Sequence, residues 1–385
     1  MFEKVIDRAG LADIHDKVRN GERLTTDDGL RLYHTPNLPA IGYLANLARE
    51  RLHGDAAYFV RNQHINYTNI CNKSCLFCSF YALPRDPEGY VLSPEQVQEK
   101  VRAYDSIPIS EIHMVGGVNP KLPFDYYLDL ARAIKDVRPN VSLKAFTMIE
   151  LDQIQRVAKK PLDETLIDLK EAGVDVLPGG GAEVFSERVH EELFQAKSDS
   201  DRWLDTARTA HQVGLPSNAT MLYGHVEQTE EKVYHYVKLR ELQDEKNGFL
   251  AFIPLSWHPE RTAIADLPGP TGQMDLREVA VARLMLDNVP HIKSFWIMNS
   301  PAVTQVALWY GADDMDGSVL EYEITRDPAT DRMQALTHIQ MLDMIAEAGR
   351  KPVERDALYN IIDKPKPVAP VYLNIASDVA VPTLT

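Results

Sequence analysis

The chain reads as a parallel α/β fold, a TIM-type (β/α) barrel that is complete or nearly so. Two observations carry that expectation. Short β-branched or aromatic runs alternate with amphipathic segments seven or eight times along the sequence, the rhythm of βαβ units with parallel strands. No glycine fingerprint of the open dinucleotide-binding sheet follows the first of these runs, so the barrel is the better of the two parallel architectures.

Residues 1–62 carry helix-compatible apolar spacing in "LTTDDGLRLYH" and "LPAIGYLANLARERLHG" and read as an N-terminal extension of helices and loops. The barrel is assigned to 63–320. Its predicted strands are 64–70, 111–117, 141–147, 174–180, 217–224, 249–257, 294–299 and, less distinctly, 313–320. The helix after the first strand announces its start in "SPEQVQEKVRAY". Ser93 is placed to cap, Pro94 sits in the first turn, and Gln96 is the reciprocal capping-box partner. Val97, Val101 and Tyr104 then share one face. Gly173, Gly214 and Gly248 stand where helices end, each a residue that can turn left-handed and satisfy the last carbonyls. Residues 321–385 form a C-terminal extension expected to pack on the barrel. It holds a helix in "MQALTHIQMLDMIAEAGR" and a proline-rich tail, "KPKPVAPVYLNIASDVAVPTLT", that wraps the surface or is partly disordered.

Composition narrows the class. The chain is 44% hydrophobic and 25% charged, without low-complexity tracts. Lysine and arginine total 41 against 56 acidic residues, a formal charge of −15, which argues against a general nucleic-acid partner. Apolar runs are too short to span a membrane, and the N-terminus lacks the apolar core of a signal peptide. Three cysteines, an odd and closely spaced set, cannot close a disulfide framework, so a reduced, cytoplasmic protein is expected.

All three cysteines lie in "CNKSCLFC": Cys71, Cys75 and Cys78. They follow the first predicted barrel strand, on the face where such barrels gather their chemistry. Three readings compete. Buried cysteines acting as small apolar residues are opposed by the polar Asn72, Lys73 and Ser74 between them. Structural zinc normally draws four ligands from paired motifs, and no second pair is evident. A [4Fe–4S] cluster on three thiolates would leave one iron open to a ligand.

The spacing C-x3-C-x2-C, with Phe77 just before the last cysteine, resembles the hallmark of the radical S-adenosylmethionine (SAM) superfamily. The resemblance implies that the open iron takes the amino and carboxylate groups of SAM, whose sulfonium is cleaved by one electron to a 5′-deoxyadenosyl radical. It assigns further cofactor-binding positions. Gly116 and Gly117, in "MVGG", match the strand-two glycines that hold SAM's amino group, with Val118 where an acidic residue is usual. Gly224 and Glu227, in "TMLYGHVE", match the strand-five motif at the adenine. Glu183, in "LPGGGAEVF", suits the two ribose hydroxyls; its rival role is a carboxylate facing a helix start. His258 in "LSWHPERT" and Thr147 in "KAFTM" end two strands and are candidate catalytic residues. Arg261 and Lys144 are possible carboxylate partners, with solvated surface residues as the default.

Longer segments narrow the resemblance. "HINYTNICNKSCLFCSF", "HMVGGVNPKLPFDYYLDLARAIK", "LPGGGAEVF", "FIPLSWHPERT" and "LMLDNVPHIKSFWIMNSPAVTQVALWYGADDMDGSV" are similar to the aminofutalosine synthase family of menaquinone biosynthesis. That implies addition of the adenosyl radical to the enol-ether carbon of 3-[(1-carboxyvinyl)oxy]benzoate. Rearrangement and loss of one carboxyl carbon then give 6-amino-6-deoxyfutalosine and methionine, so SAM is consumed. Such a pocket must exclude water and hold a flat dianion; Phe146, Phe252 and Trp257 are candidate walls. A low-potential donor such as flavodoxin or ferredoxin is implied. Cyclic dehypoxanthine futalosine synthase and the deazaflavin-cofactor synthases share fold and motif and stand as alternatives, with an iron–sulfur electron carrier as the reading from another class.

Overall fold

The computed structural model describes residues 2–325 and 335–362. Among the described residues there are nine strands: β1 (Ala56–Val60), β2 (Asn62–Asn66), β3 (Glu111–Val115), β4 (Ser142–Ala145), β5 (Ser217–Tyr223), β6 (Phe249–Ser256), β7 (His291–Ile292), β8 (Asp314–Gly317) and β9 (Lys351–Glu354). They form three parallel three-stranded sheets, ordered β8-β1-β9, β2-β3-β4 and β5-β6-β7. Single parallel bridges run between sheets at Lys144–Val176, Leu177–Ser217, Lys293–Asp314 and Gln63–Leu320. The architecture is an α/β fold of parallel strands and intervening helices.

Local sequence chemistry accounts for much of this. Ser93 and Gln96 close the anticipated capping box, with Gln96 N donating to Ser93 Oγ at 3.3 Å and Ser93 N donating to Gln96 Oε1 at 2.8 Å. Val97 and Val101 of the helix Pro94–Arg102 are buried. Gly173 and Gly214 take the left-handed conformation at helix ends. At the third such end the left-handed residue is Asn247, not Gly248. Gly248 is small for another reason: a Cβ there would fall 2.0 Å from the His211 ring.

Three expectations about strands are corrected. Residues 1–62 are not only helix and loop, because "AAYFV" forms β1 between β8 and β9. The predicted strand 294–299 is not a strand: the two-residue β7 (His291–Ile292) ends before it, and the helical turn Trp296–Asn299 occupies most of it. After Ser294 N donates to Asp314 O at 2.8 Å, the chain leaves the sheet and the Trp296 indole reaches Gly317 O at 2.8 Å. A short buried aromatic run does not reveal its own period. In the C-terminal extension, β9 contains Pro352, which is tolerated because β9 is an edge strand. The helix expected from Met333 runs as His338–Glu347; its first two residues and the tail from 364 lie outside the described residues.

The strands enclose polar side chains as well as apolar ones. Lys144 Nζ donates to Glu111 Oε2 at 2.8 Å, and Arg355 donates to Glu111 at 3.3 Å and to Asp314 at 2.6 Å. Lys293 reaches Asp316 at 3.4 Å. All six are buried, so three cations face three anions with no excess charge, the condition under which buried ions are tolerated. Lys144 is therefore a core residue, not a solvated one, whereas Arg261 is exposed.

Candidate active site

The cysteine loop leaves β2 and is pinned at several points by backbone hydrogen bonds. Cys71 N donates to Ala82 O at 2.9 Å, Asn72 N to Val118 O at 3.1 Å, and Leu76 N to Leu193 O at 3.0 Å. The polar residues between β2 and Cys71 brace the same turn. Thr68 Oγ1 donates to Tyr90 O at 2.6 Å, and Asn69 Oδ1 accepts from Tyr90 N at 2.9 Å. These contacts hold Cys71, Cys75 and Cys78 on the wall of one cavity of about 310 Å³. Burial pushes the Cys75 thiol up to about 12 and raises Cys78. Thiolates gather here only with cations to balance them.

Gly116 and Gly117 line the same cavity. A Cβ on Gly117 would sit 2.4 Å from Ile70 O, so this glycine lets the end of β3 press against the backbone that leads into Cys71. Gly116 N donates to Glu150 Oε1 at 3.0 Å. Glu150, fully buried, also accepts from Tyr67 Oη at 2.6 Å and from Thr147 Oγ1 at 2.6 Å and N at 2.8 Å. Thr147 reaches the cavity wall, and its hydroxyl closes the capping box of the helix Met148–Ala158.

Glu183 adopts φ +51° and is buried beside the cavity. Its carboxylate pairs with Lys197 Nζ and does not face a helix start; the helix that follows, Glu187–Leu193, is capped by Ser186. Phe77 lines the cavity with its ring edge-on to Phe194, the centroids 5.9 Å apart. Its carbonyl accepts from the Trp257 indole at 3.3 Å. His258 also lines the cavity, its Nε2 3.0 Å from Met298 O. Gly224 and Glu227 are not among the lining residues. Glu227 accepts from Gly224 N at 2.8 Å and His225 N at 2.9 Å, closing the turn after β5. Of the expected aromatic walls only Trp257 lines the cavity, while Phe146 and Phe252 are buried behind it.

Several cavity residues carried no recognisable motif. Lys197 lies in a loop, and only the fold brings it to Glu183 and Phe77. His64 and His113, stacked at 4.6 Å, line the cavity together with Asp316, Phe295 and Tyr322. Their signal in the sequence was faint: Asn62, His64 and Asn66 alternate along β2, polar positions aimed to one side of a strand.

Comparison with known proteins decides the family. Residues 65–239 match the profile of the Radical SAM superfamily, and residues 246–368 match the CofH/MqnC C-terminal region. Aminodeoxyfutalosine synthase of Thermus thermophilus is 45% identical over 353 residues, covering 91% of this chain and 95% of that protein. The chain belongs to the aminodeoxyfutalosine synthase family of radical SAM enzymes. The family member from Streptomyces coelicolor is 40% identical, with 92% and 95% of the two chains covered. Among solved structures, methylornithine synthase superimposes with a TM-score of 0.71 at 18% identity, covering 88% of this chain and 96% of its own; at that identity the likeness speaks to fold. As a radical SAM enzyme the chain uses a [4Fe–4S] cluster and SAM.

Proposed function

We propose that this chain joins the adenosyl group of SAM to 3-[(1-carboxyvinyl)oxy]benzoate, releasing methionine and one carboxyl carbon and forming 6-amino-6-deoxyfutalosine. The observation that carries the reading is the convergence of all three thiols on the wall of one cavity, in a chain of this family.

In this reading Cys71, Cys75 and Cys78 hold the cluster. The donor set fits: three soft sulfur ligands on one wall, of which Cys75 and Cys78 are held in the thiol form by burial unless a metal charge compensates. A cluster held by these three residues would supply the electron for reductive cleavage of the SAM sulfonium. The protein's share is placement and protection. Gly116 and Gly117 offer backbone to the amino group of SAM, Glu183 offers a carboxylate to the ribose, and Phe77 flanks the thiols. Gly224 and Glu227 act through the turn they close, shaping the adenine side. Trp257, Phe295, Ile253 and Leu255 line the cavity with apolar surface, which keeps water and hydrogen donors from a carbon-centred radical. His258, beside Met298, faces the reacting region, and Thr147 fixes the Glu150 cap next to Gly116.

The three sheets are proposed to close as one barrel spanning 63–320, which the four inter-sheet bridges support. Residues 1–62 and 321–385 then act as extensions contributing β1 and β9 to its base. Flavodoxin or ferredoxin is the proposed electron source and the cytoplasm the proposed location; among the described residues no helix is long and apolar enough to cross a membrane.

The test is product mass spectrometry. Reconstituted protein with dithionite, SAM and the enol-ether benzoate should yield the adenosyl adduct and methionine in equal amounts. Formation of 5′-deoxyadenosine alone would refute the substrate assignment.

A further inference from the structure

The depth of the cavity holds a hydrogen-bond donor whose identity the surrounding residues dictate. Asn62, at the start of β2, is fixed by its own acceptor: Val319 N donates to Asn62 Oδ1 at 2.7 Å. Val319 adopts φ +52°, a conformation rare for a β-branched residue, so this contact belongs to a tightly constrained turn after β8. With Oδ1 committed, the Asn62 amide nitrogen points the other way, 3.3 Å from Asp316 Oδ1 and 3.4 Å from His64 Nε2. An amide N–H can only donate, so His64 Nε2 is the acceptor, and a neutral imidazole then carries its proton on Nδ1. Among the described residues that buried Nδ1–H has no hydrogen-bond partner, and His64 is 3% exposed and lines the cavity.

The ring has little freedom to turn away. His113 stacks on it at 4.6 Å, Phe295 lies parallel at 6.4 Å, and the edge of Tyr322 meets it at 5.4 Å. An orphaned buried donor costs about 1–3 kcal/mol, and such an atom in a ligand cavity marks where a ligand supplies an acceptor. The neighbouring charges do not forbid an anion: Asp316 is engaged by Asn62 and Lys293.

We infer that His64 Nδ1–H binds the ring carboxylate of the aromatic substrate and sets its depth in the cavity. The inference rests on the proposed substrate. Of its two carboxylates, the one on the enol ether adjoins the carbon attacked by the adenosyl radical. His64 lies within β2, below the loop that carries the three cysteines, and so meets the end of the molecule farthest from the reacting carbon. His64 is thus a specificity-determining residue that touches substrate and takes no part in making the radical.

The test compares reconstituted wild type with His64→Phe, His64→Asn and His64→Gln on two substrates: the enol-ether benzoate and 2-phenoxyacrylate, which lacks only the ring carboxylate. His64→Phe should lower kcat/KM for the benzoate at least tenfold, mainly through KM. Its kcat/KM for 2-phenoxyacrylate, its KM for SAM and its iron content should stay within about twofold of wild type. His64→Asn, whose amide nitrogen falls near Nδ1, should recover most of the loss, whereas His64→Gln, which reaches the Nε2 side, should not. If His64→Phe does not fold, the contrast between the two amide variants decides. An equal loss on both substrates, an unchanged KM, or Asn and Gln behaving alike would overturn the inference while leaving the function standing. A wild type inactive on both substrates would instead sink the function, and this inference with it.

Discussion

Lys197 Nζ pairs with the Glu183 carboxylate and stands 5.0 Å from the centre of the Phe77 ring. One ammonium thus ties the loop after residue 182 to the residue that precedes Cys78. Both partners are only 10% exposed at the side chain, so neither charge is tolerated alone.

Replacing Glu183 by glutamine should have two separable effects. The stranded ammonium should destabilise the fold by about 3–5 kcal/mol, seen in chemical denaturation and reversed when Lys197→Met is added. SAM affinity should fall roughly tenfold, about 1.4 kcal/mol, at unchanged iron content. Unaltered SAM binding would leave Glu183 as a counter-ion and nothing more.

Gly117→Ala tests whether the end of β3 positions the cysteine loop. The new methyl carbon would meet Ile70 O at 2.4 Å, closer than contact distance, and the loop would have to move. Iron content after reconstitution should drop severalfold while helical circular dichroism is retained. A full cluster load would show that the loop yields without consequence.

His258→Ala is expected to lower adduct formation with cluster and SAM binding intact, because the side chain lines the cavity and holds Met298 O at 3.0 Å. Normal turnover would make the histidine a structural residue.

Buried neutral histidines make stability depend on pH in a definite direction. Burial holds His64 down to about 4 and His235 to about 3; His235 accepts from Phe185 N at 3.1 Å. An unfolded imidazole takes its proton near 6.5. Below that pH the unfolded chain binds protons that the folded chain refuses, so stability present above 6.5 is lost as pH falls toward 4. Each group contributes on the order of 3 kcal/mol across that window. Urea midpoints should fall steadily from pH 6.5 to 4.5; a flat profile would contradict the assignment.

How much of this was legible in the sequence depended on whether a signal was local. Ser93–Gln96 and the cysteine loop declare themselves within a few residues, and β-branched runs placed β3 to β6 close to their observed bounds, whereas 64–70 was set late for β2 and the predicted strand 174–180 forms only single bridges at Val176 and Leu177. β1 was hidden because "AAYFV" is short and its partners lie more than 250 residues away at β8 and β9. Pro352 disguised β9 as a loop. "SFWIMN" offered aromatic residues suited equally to a strand or to a buried helical turn. The site divided the same way. The cysteines and glycines were readable because their chemistry or small size is intrinsic. Lys197, His64 and Asp316 acquire meaning only from neighbours that the fold brings to them, and no spacing in one chain encodes that Asn62 fixes the proton of His64.

In this reading Cys71, Cys75 and Cys78 hold a [4Fe–4S] cluster whose fourth iron is open to SAM. Iron and zinc analysis of anaerobically reconstituted protein, with electron paramagnetic resonance of the reduced cluster before and after SAM, tests it most directly. About four irons per chain, negligible zinc and a spectrum that shifts when SAM binds are expected. Stoichiometric zinc, or a cluster signal indifferent to SAM, would contradict it.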